Sequence, residues 1–443
     1  MKVEVEIISK EIIKPSTPTP DHLRRYQLSF LDQLSPSCYS PFLYFYALND
    51  HINEPNLVEN ISHKLKESLS QVLTLYYPLA GRFTNDDFVY CNDDGILFLE
   101  ARVRKCELSD VVNDTVSSSS EVLNKLCPFK LDELAELPLG IQLNIFENGG
   151  ITIGVCISHR LADALSCLVF IKNWMAIARG DCVIRPEFSS AELFPPKNTS
   201  WYNENSHMKK INTIATKRFV FEASAIEALR SIYDKEIRTN QLLEHNTRGP
   251  SRVEVLSTFI WSRFMAATRV ESEQCETIFT IHQAVNLRPK FDPPLREHSF
   301  GNYYRTSTTV ASGTSNLGGL AKKMGEDVRK LDKGFVESLR FKGDEYLASL
   351  KPNNNEVKSE ELVLLVFTSL CRFPLYEADF GWGKPTWVSS AARCFKNVVA
   401  YMDDKTGHGI EAYISLKPEE MAKLEADKEF LSMVSCLNRS NCV

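Results

Sequence analysis

The sequence of 443 residues lacks the motifs of several common enzyme classes. It contains no P-loop, no G-x-G-x-x-G fingerprint, no G-x-S-x-G turn and no H-E-x-x-H helix. Those motifs serve nucleotide hydrolysis, dinucleotide-dependent redox chemistry, serine hydrolysis and zinc proteolysis, and each needs its glycines, nucleophile or ligands at a fixed spacing. The sequence therefore gives no support to any of these four activities.

Paired cysteines are also missing. The 12 cysteines are scattered along the chain without a single C-x-x-C pair. Neither a zinc site nor a disulfide framework is therefore predicted, and we expect no bound metal. Most of these cysteines are expected to be buried free thiols that pack as small hydrophobic side chains.

An excess of positive charge and a long apolar run are absent as well. Lysine and arginine number 51 against 57 acidic residues, which gives a formal net charge of −6. This balance disfavours nucleic acid or an anionic membrane as the main partner. No apolar run is long enough to span a bilayer, and residues 1–6 lack the apolar segment of a signal peptide. We expect a cytoplasmic, monomeric protein whose partners are small molecules.

The length and the distribution of proline indicate two domains. A single hydrophobic core rarely grows beyond about 250–300 residues. Pro186, Pro195 and Pro196 lie among polar residues in a stretch that is typical of a linker. We therefore predict an N-terminal domain at 1–183, a crossover linker at 184–212 and a C-terminal domain at 213–443. Whether a strand near 360–380 pairs with the N-terminal domain is left open.

The most informative local pattern surrounds His159. Apolar residues alternate with small or polar ones from Ile151 to Ser158, which predicts a strand that ends at His159. From Asp163 the apolar spacing becomes helical and continues to Gly180. The motif His159-Arg160-Leu161-Ala162-Asp163 therefore lies at a junction between a strand and a helix, where functional residues are often found.

This position suits His159 to acid–base chemistry. Imidazole is the side chain best matched to proton transfer near neutral pH, so His159 is a candidate general base. The His-x-x-x-Asp spacing alone is weak evidence, because the chain has nine histidines. For Asp163 a structural role is the stronger interpretation, since the helix dipole favours a carboxylate there and an arginine could pair with it.

Three further features have both a functional and a structural interpretation. In Asp379-Phe380-Gly381-Trp382-Gly383 the glycines permit a tight turn whatever the chemistry. Ser251-Arg252-Val253-Glu254 has the spacing of a capping box, and the helix start with Arg252 could receive a phosphate or could be an ordinary capped helix. Lys217 is a further basic residue in this half and, by charge alone, would be solvated surface.

Four motifs together resemble a known family. In chain order they are Tyr77 to Arg82, His159 to Asp163, Gln283 to Arg288 and Asp379 to Gly383. Their order and approximate spacing are similar to those of the plant BAHD-family acyltransferases over nearly the whole chain. The proline-rich stretch from Lys14 to Pro20 resembles the branch that contains vinorine synthase and related O-acetyltransferases of alkaloids and terpenoids.

The resemblance implies a fold, a reaction and an active-site location. The fold would be α/β, with two similar chloramphenicol-acetyltransferase-like domains, each a mixed β-sheet flanked by helices, and an active-site channel between them. The reaction would be acyl transfer from acyl-CoA, most simply acetyl-CoA, to a hydroxyl of a plant specialised metabolite. His159 would be the general base, no acyl-enzyme would form, and acyl-CoA would be a co-substrate beside no permanently bound cofactor.

The resemblance also implies roles for other residues. Asp163 would be structural and pair with Arg288, and Asp379 would hold the fold rather than react. Lys217, Ser251 and Arg252 lie where relatives bind CoA. Residues 300–303 match only part of the signature of anthocyanin malonyltransferases, which disfavours a malonyl donor. The alternatives left open are a longer or aromatic acyl donor, an amine acceptor, and a non-catalytic binding protein on the same scaffold.

Overall fold

The computed structural model describes residues 3–48, 56–84, 87–113, 119–130, 136–147, 149–202, 214–239, 249–268, 279–311, 317–351, 363–391 and 395–435. The strands are β1 (Glu4–Ile13), β2 (Arg25–Gln27), β3 (Tyr39–Tyr46), β4 (Arg82–Phe83), β5 (Phe88–Tyr90), β6 (Ile96–Arg104), β7 (Leu139–Phe146), β8 (Ile151–Ser158), β9 (Ala215–Phe221), β10 (Phe279–Asn286), β11 (Tyr304–Ala311), β12 (Val363–Ser369), β13 (Trp387–Ser389), β14 (Val398–Asp403) and β15 (Ile410–Leu416).

The helices are α1 (Phe30–Gln33), α2 (Leu57–Leu75), α3 (Leu108–Asn113), α4 (Ser119–Lys125), α5 (Ala164–Arg179), α6 (Ser190–Leu193), α7 (Ala223–Thr239), α8 (Arg252–Thr268), α9 (Leu317–Arg329), α10 (Lys333–Phe341), α11 (Gly343–Ser349), α12 (Pro418–Ala426) and α13 (Lys428–Met433). The chain divides into two units. The first comprises Met1–Asn205, Pro293–Tyr303 and Phe373–Cys394, and the second comprises Ser206–Asp292, Tyr304–Arg372 and Phe395–Val443.

The first unit is built on a mixed sheet in which the described strands follow the order β1-β6-β7-β8-β3-β13. The central strands β8 and β3 are buried along their whole length, as expected for strands covered on both faces. Strand β1 lies at one edge and exposes most of its residues. Strand β8 is therefore a buried interior strand of this sheet, and His159 directly follows its last residue.

The second unit contains another mixed sheet, with the described strands in the order β11-β10-β12-β14-β15-β9. Its core includes Trp261 and Phe264 of α8, Tyr401 of β14 and Phe430 of α13. Helix α8 begins as predicted, because the Ser251 hydroxyl accepts the Glu254 N–H at 3.2 Å and the Glu254 carboxylate accepts the Ser251 N–H at 2.6 Å. This is the capping box that the Ser-x-x-Glu spacing indicates.

The division into units is more interleaved than the boundaries expected from sequence. Two later segments belong to the first unit, because Ser299 bridges to Glu187 and β13 pairs with β3. The strand near 360–380 is β12, which pairs with β10 and β14 in the second sheet, so the strand added to the first sheet is β13. Such long-range pairings leave no trace in local periodicity.

The last helix also differs from the sequence pattern. The sequence from Pro418 to about Val434 predicts one final helix, whereas the chain forms α12 and α13 with a break at Asp427. Asp427 adopts an extended conformation, and its side chain accepts the N–H groups of Glu429 and Phe430 at 2.9 and 3.1 Å. An aspartate competes with the helix in this way because its short carboxylate caps the following turn.

No helix within the described residues is long and apolar enough to cross a membrane.

Candidate active site

The main chain of His159 is held on both sides. His159 lies in the turn directly after β8, and its N–H donates to the carbonyl of Cys38 at 2.9 Å. Its own carbonyl accepts a hydrogen bond from Nδ2 of Asn302, also at 2.9 Å. The residue is half-buried. These contacts fix the peptide from which the imidazole extends.

Asp163 anchors the start of α5. It occupies the N-cap position, where its Oδ1 accepts the Ser166 N–H at 2.9 Å. Its Oδ2 accepts the N–H of Tyr303 at 3.0 Å, and the residue is only 6% exposed. The carboxylate therefore joins the first turn of the helix to the main chain of the segment 300–303, in the location that the helix dipole favours.

The segment 300–303 makes a second contact with α5 through Ser166. The Ser166 hydroxyl donates to the Gly301 carbonyl at 2.9 Å and accepts the Gly301 N–H at 3.1 Å. Gly301 has φ 137°, and a Cβ there would lie 3.0 Å from the Cβ of Ser190. The backbone conformation therefore favours glycine, and the close approach to Ser190 leaves little room for a Cβ.

A second buried carboxylate, Asp32, holds the same segment from α1. Its Oδ1 accepts both the main-chain N–H and the side-chain Nδ2 of Asn302 at 2.9 Å. Its Oδ2 accepts the N–H and hydroxyl of Ser29 at 2.8 and 2.6 Å. Burial raises the pKa of the Asp32 carboxyl, and the hydrogen bonds from Ser29 and Asn302 act against that rise.

Asp32 and Asn302 did not emerge from the sequence as site residues. The capping spacing of Ser29 and Asp32 is visible in the sequence and predicts a helix start. The bond from Asp32 to Asn302 joins residues 270 positions apart, so no local pattern reports it. The glycine at 301 was the available signal that the backbone of this segment approaches another element closely.

The turn at 379–383 is organised by its aspartate. Oδ1 of Asp379 accepts the N–H groups of Gly381 and Gly383 at 2.7 and 3.0 Å. Both glycines have left-handed φ values, 109° and 101°. Arg179, the last residue of α5, donates to the carbonyl of Asp379.

The aromatic residues of this turn pack into the first unit. Phe380 is fully buried, and its ring contacts Trp174 of α5 edge-on with 4.8 Å between centroids. Trp382 stacks on Phe380 at 5.5 Å. The Tyr46 hydroxyl at the end of β3 donates to the Ala378 carbonyl at 2.7 Å. The turn therefore ties the end of α5 to β3, and its residues serve packing in this arrangement.

The predicted CoA-binding residues lie in the second unit and are engaged in ion pairs or capping. Arg252 donates to the carbonyls of Gly407 and His408 at 3.1 and 2.8 Å, and to Oδ1 of Asp403 at 3.0 Å. Lys217 on β9 pairs with Glu425 of α12. A phosphate would therefore have to replace carboxylate or carbonyl partners at these positions.

Arg288 also lies in the second unit. It is 2% exposed, and its main-chain N–H donates to Oδ1 of Asn286 at 3.1 Å. The pairing of Asp163 with Arg288 stays a prediction, as do the roles assigned to Lys217, Ser251, Arg252 and Asp379. Within the described residues, no group of three or more histidine, cysteine, aspartate or glutamate side chains could hold a metal ion.

Comparison with known proteins gives matches over nearly the full length. A family model described as the Transferase family matches residues 3–431. Stemmadenine O-acetyltransferase of Catharanthus roseus is 35% identical over 447 residues, covering 98% of this chain and 99% of that protein. Limonoid 1-O-acetyltransferase of Citrus sinensis is 32% identical over 451 residues, with the same two coverages.

Solved structures share the fold. The crystal structure of vinorine synthase has a TM-score of 0.81 and 33% identity, covering 98% of this chain and 99% of that one. The complex of F. sporotrichioides TRI101 with coenzyme A and T-2 has a TM-score of 0.70 at 18% identity, covering 94% of this chain and 100% of that one. The predicted mixed α/β fold with two domains is thus confirmed. The family match and the full-length relatives show that this chain belongs to the Transferase family, the BAHD acyltransferases.

Proposed function

We propose that this protein transfers the acetyl group of acetyl-CoA to a hydroxyl of an alkaloid or terpenoid, with His159 as the general base. Membership of the acyltransferase family supports the reaction class. The names of the relatives support the acetyl donor and both acceptor classes, since one acts on stemmadenine and another on a limonoid. A fold relative binds coenzyme A. The proposal includes a cytoplasmic monomer that uses acetyl-CoA as an exchangeable co-substrate and holds no resident cofactor.

The observation that carries the proposal is the clamped main chain of His159. A base contributes about 10²- to 10⁴-fold to a rate when it is within hydrogen-bond reach of the proton it removes. The imidazole stays within hydrogen-bond reach of that proton only if its own peptide is fixed. The hydrogen bonds to Cys38 and from Asn302 fix that peptide. His159 as a residue is half-buried, so it is not closed off from solvent.

The proposed mechanism has two proton transfers. The imidazole of His159 accepts the proton of the acceptor hydroxyl while the oxygen attacks the thioester carbonyl and forms the new C–O bond. The tetrahedral oxyanion then collapses, the C–S bond breaks, and the thiolate takes the proton from the imidazolium. The products are the acetyl ester and CoA, and the histidine returns to its neutral state.

No covalent acyl-enzyme is needed in this scheme. The acceptor attacks the thioester directly, so both substrates are bound at once. Holding two reactants in a near-attack arrangement converts a bimolecular step into an effectively unimolecular one. We therefore propose that binding of both substrates, rather than a protein nucleophile, supplies much of the rate.

The test is a product analysis. The purified protein is incubated with isotopically labelled acetyl-CoA and a panel of alkaloid and terpenoid alcohols, and products are analysed by mass spectrometry. We expect a product that carries one labelled acetyl group and loses it on mild alkaline hydrolysis, as an ester does. A base-stable acetyl product would establish an amine acceptor, and transfer only from longer or aromatic acyl-CoA would replace the proposed donor. Absence of any acyl product would contradict the proposal.

A further inference from the structure

The side-chain amide of Asn302 links a buried carboxylate to the peptide of His159. Its Nδ2 donates to Oδ1 of Asp32 and to the carbonyl of His159, each at 2.9 Å. An amide nitrogen has two hydrogens, so both are used. Asn302 is 0% exposed, and its Oδ1 has no hydrogen-bond partner within the described part of the chain.

The orientation of this amide depends on Asp32. If the amide turned over, its oxygen would face the Asp32 carboxylate and the His159 carbonyl, and both contacts would place acceptor against acceptor. With the carboxylate present, only the observed orientation is favourable, and hydrogen bonds to a charged acceptor are stronger than neutral ones. Leaving the amide oxygen without a partner is the cost of that selection.

Asp32 is itself held in place by the start of α1. Its carboxylate accepts the N–H and hydroxyl of Ser29, and its own N–H donates to the Ser29 hydroxyl at 3.2 Å. The main-chain N–H of Asn302 also donates to Asp32. A continuous series of hydrogen bonds therefore runs from the cap of α1 through Asn302 to His159, buried as far as Asn302 and part-buried at His159.

We propose that Asp32 is a positioning residue for the transfer reaction, which acts through the Asn302 amide on the peptide of His159. This inference rests on the proposed role of His159 as the base. Loss of the carboxylate would let the amide turn and release the His159 carbonyl, which would shift the imidazole relative to the acceptor hydroxyl. Displacement of a catalytic group by about 1 Å can cost roughly 100-fold in rate.

The variant Asp32→Asn tests this role against a purely structural one. We expect kcat to fall about 10- to 100-fold, with the KM for acetyl-CoA little changed, because the substrate contacts remain. The matched control is Asp93→Asn in the same unit. Asp93 accepts the N–H and hydroxyl of Thr19 at 2.9 and 2.6 Å and a hydrogen bond from Arg24 at 3.2 Å. That control should lower thermal stability while kcat stays unchanged.

A double-mutant cycle gives the decisive comparison. In an Asn302→Ala background, the addition of Asp32→Asn should lower kcat further by less than about twofold. The reason is that Asp32 then has no amide to orient. If the double variant lowered kcat by the product of the two single-variant factors, the proposal would be overturned. An unchanged kcat in Asp32→Asn would also overturn it. All variants are assayed at a temperature well below the lowest melting temperature.

The same set separates this inference from the proposed function. In a His159→Ala background, Asp32→Asn should not change the residual rate. If His159→Ala itself kept near-normal turnover, the assignment of the base would fail. If His159→Ala is impaired but Asp32→Asn retains full kcat, the base stands and the positioning role is rejected.

Discussion

The polar side chains around His159 and those proposed to bind CoA differ in their burial and in the partners that they contact. In the first unit, the carboxylates of Asp32 and Asp163 are buried and accept main-chain N–H groups of the segment 300–303. In the second unit, the side chains of Lys217 and Arg252 are each 25% exposed and contact carboxylates near the surface. The buried carboxylates of the first unit hold main-chain groups in place, whereas the basic side chains of the second unit pair with partly exposed carboxylates.

This difference predicts how each region tolerates change. A buried N–H that loses its acceptor has no water to replace it, so removal of the Asp32 or Asp163 carboxylate should lower the stability of the fold. A partly exposed ion pair contributes little to stability, because water and salt screen it. Such a pair can exchange one anion for another. The second arrangement therefore suits a cation that must bind a phosphate and release it.

The largest effect is expected for Asp163→Ala. The change leaves the N–H groups of Ser166 and Tyr303 without their acceptor and removes the cap of α5, which we expect to cost roughly 3 kcal/mol or more. The yield of soluble folded protein and the free energy of unfolding in urea should both fall, together with activity. Normal stability with lost activity would instead make Asp163 a participant in the chemistry.

Asp379→Ala should destabilise less, by about 1–2 kcal/mol, because the turn that it organises is partly exposed. The N–H groups of Gly381 and Gly383 would lose their acceptor, and the contact with α5 would loosen. Thermal melting measures the change. The matched control is Glu377→Ala, since Glu377 pairs with Lys384 at the surface and should shift the melting temperature little. If both variants shifted the melting temperature equally, Asp379 would contribute no more to stability than the surface residue Glu377.

Arg252→Ala should raise the KM for acetyl-CoA several-fold and leave kcat close to normal, as expected when uniform binding is lost. The variant also removes the hydrogen bonds to Gly407 and His408, so a small loss of thermal stability should accompany it. Steady-state kinetics at varied acetyl-CoA measures the effect. An unchanged KM would exclude Arg252 from the CoA site.

The smallest effects are expected at Lys217, where two variants should act in opposite directions. Lys217→Ala should raise the KM for acetyl-CoA, whereas Glu425→Gln should lower it, because the lysine then no longer pairs with a carboxylate. Both shifts should shrink at high salt. If both variants changed KM in the same direction, the ion pair would have a structural role only and Lys217 would not bind the donor.

The sequence predicted the elements around His159 well, because their signals are local. Alternation along β8 and the aspartate at the start of α5 specify a strand, a turn and a capped helix within about thirty residues. Family resemblance supplied the reaction class and the two-domain mixed α/β fold. Each of these depends on short motifs or on their order along the chain.

What the sequence could not supply are contacts between distant residues. Asp32 and Asn302 meet only when the segment 300–303 packs against α1 and α5, and β13 joins β3 across more than 300 positions. The break at Asp427 was missed for a different reason, because apolar periodicity continues through a residue whose side chain caps a new turn. Tertiary packing and helix capping therefore determine the structural features that local periodicity did not predict.

The central claim is that His159 is the base, and His159→Ala tests it most directly. Turnover should be measured at saturating acetyl-CoA and acceptor, with the dissociation constant for CoA measured in parallel by calorimetry. We predict a fall in kcat of about 100-fold or more with CoA affinity close to normal. Near-normal turnover in a folded variant would contradict the account.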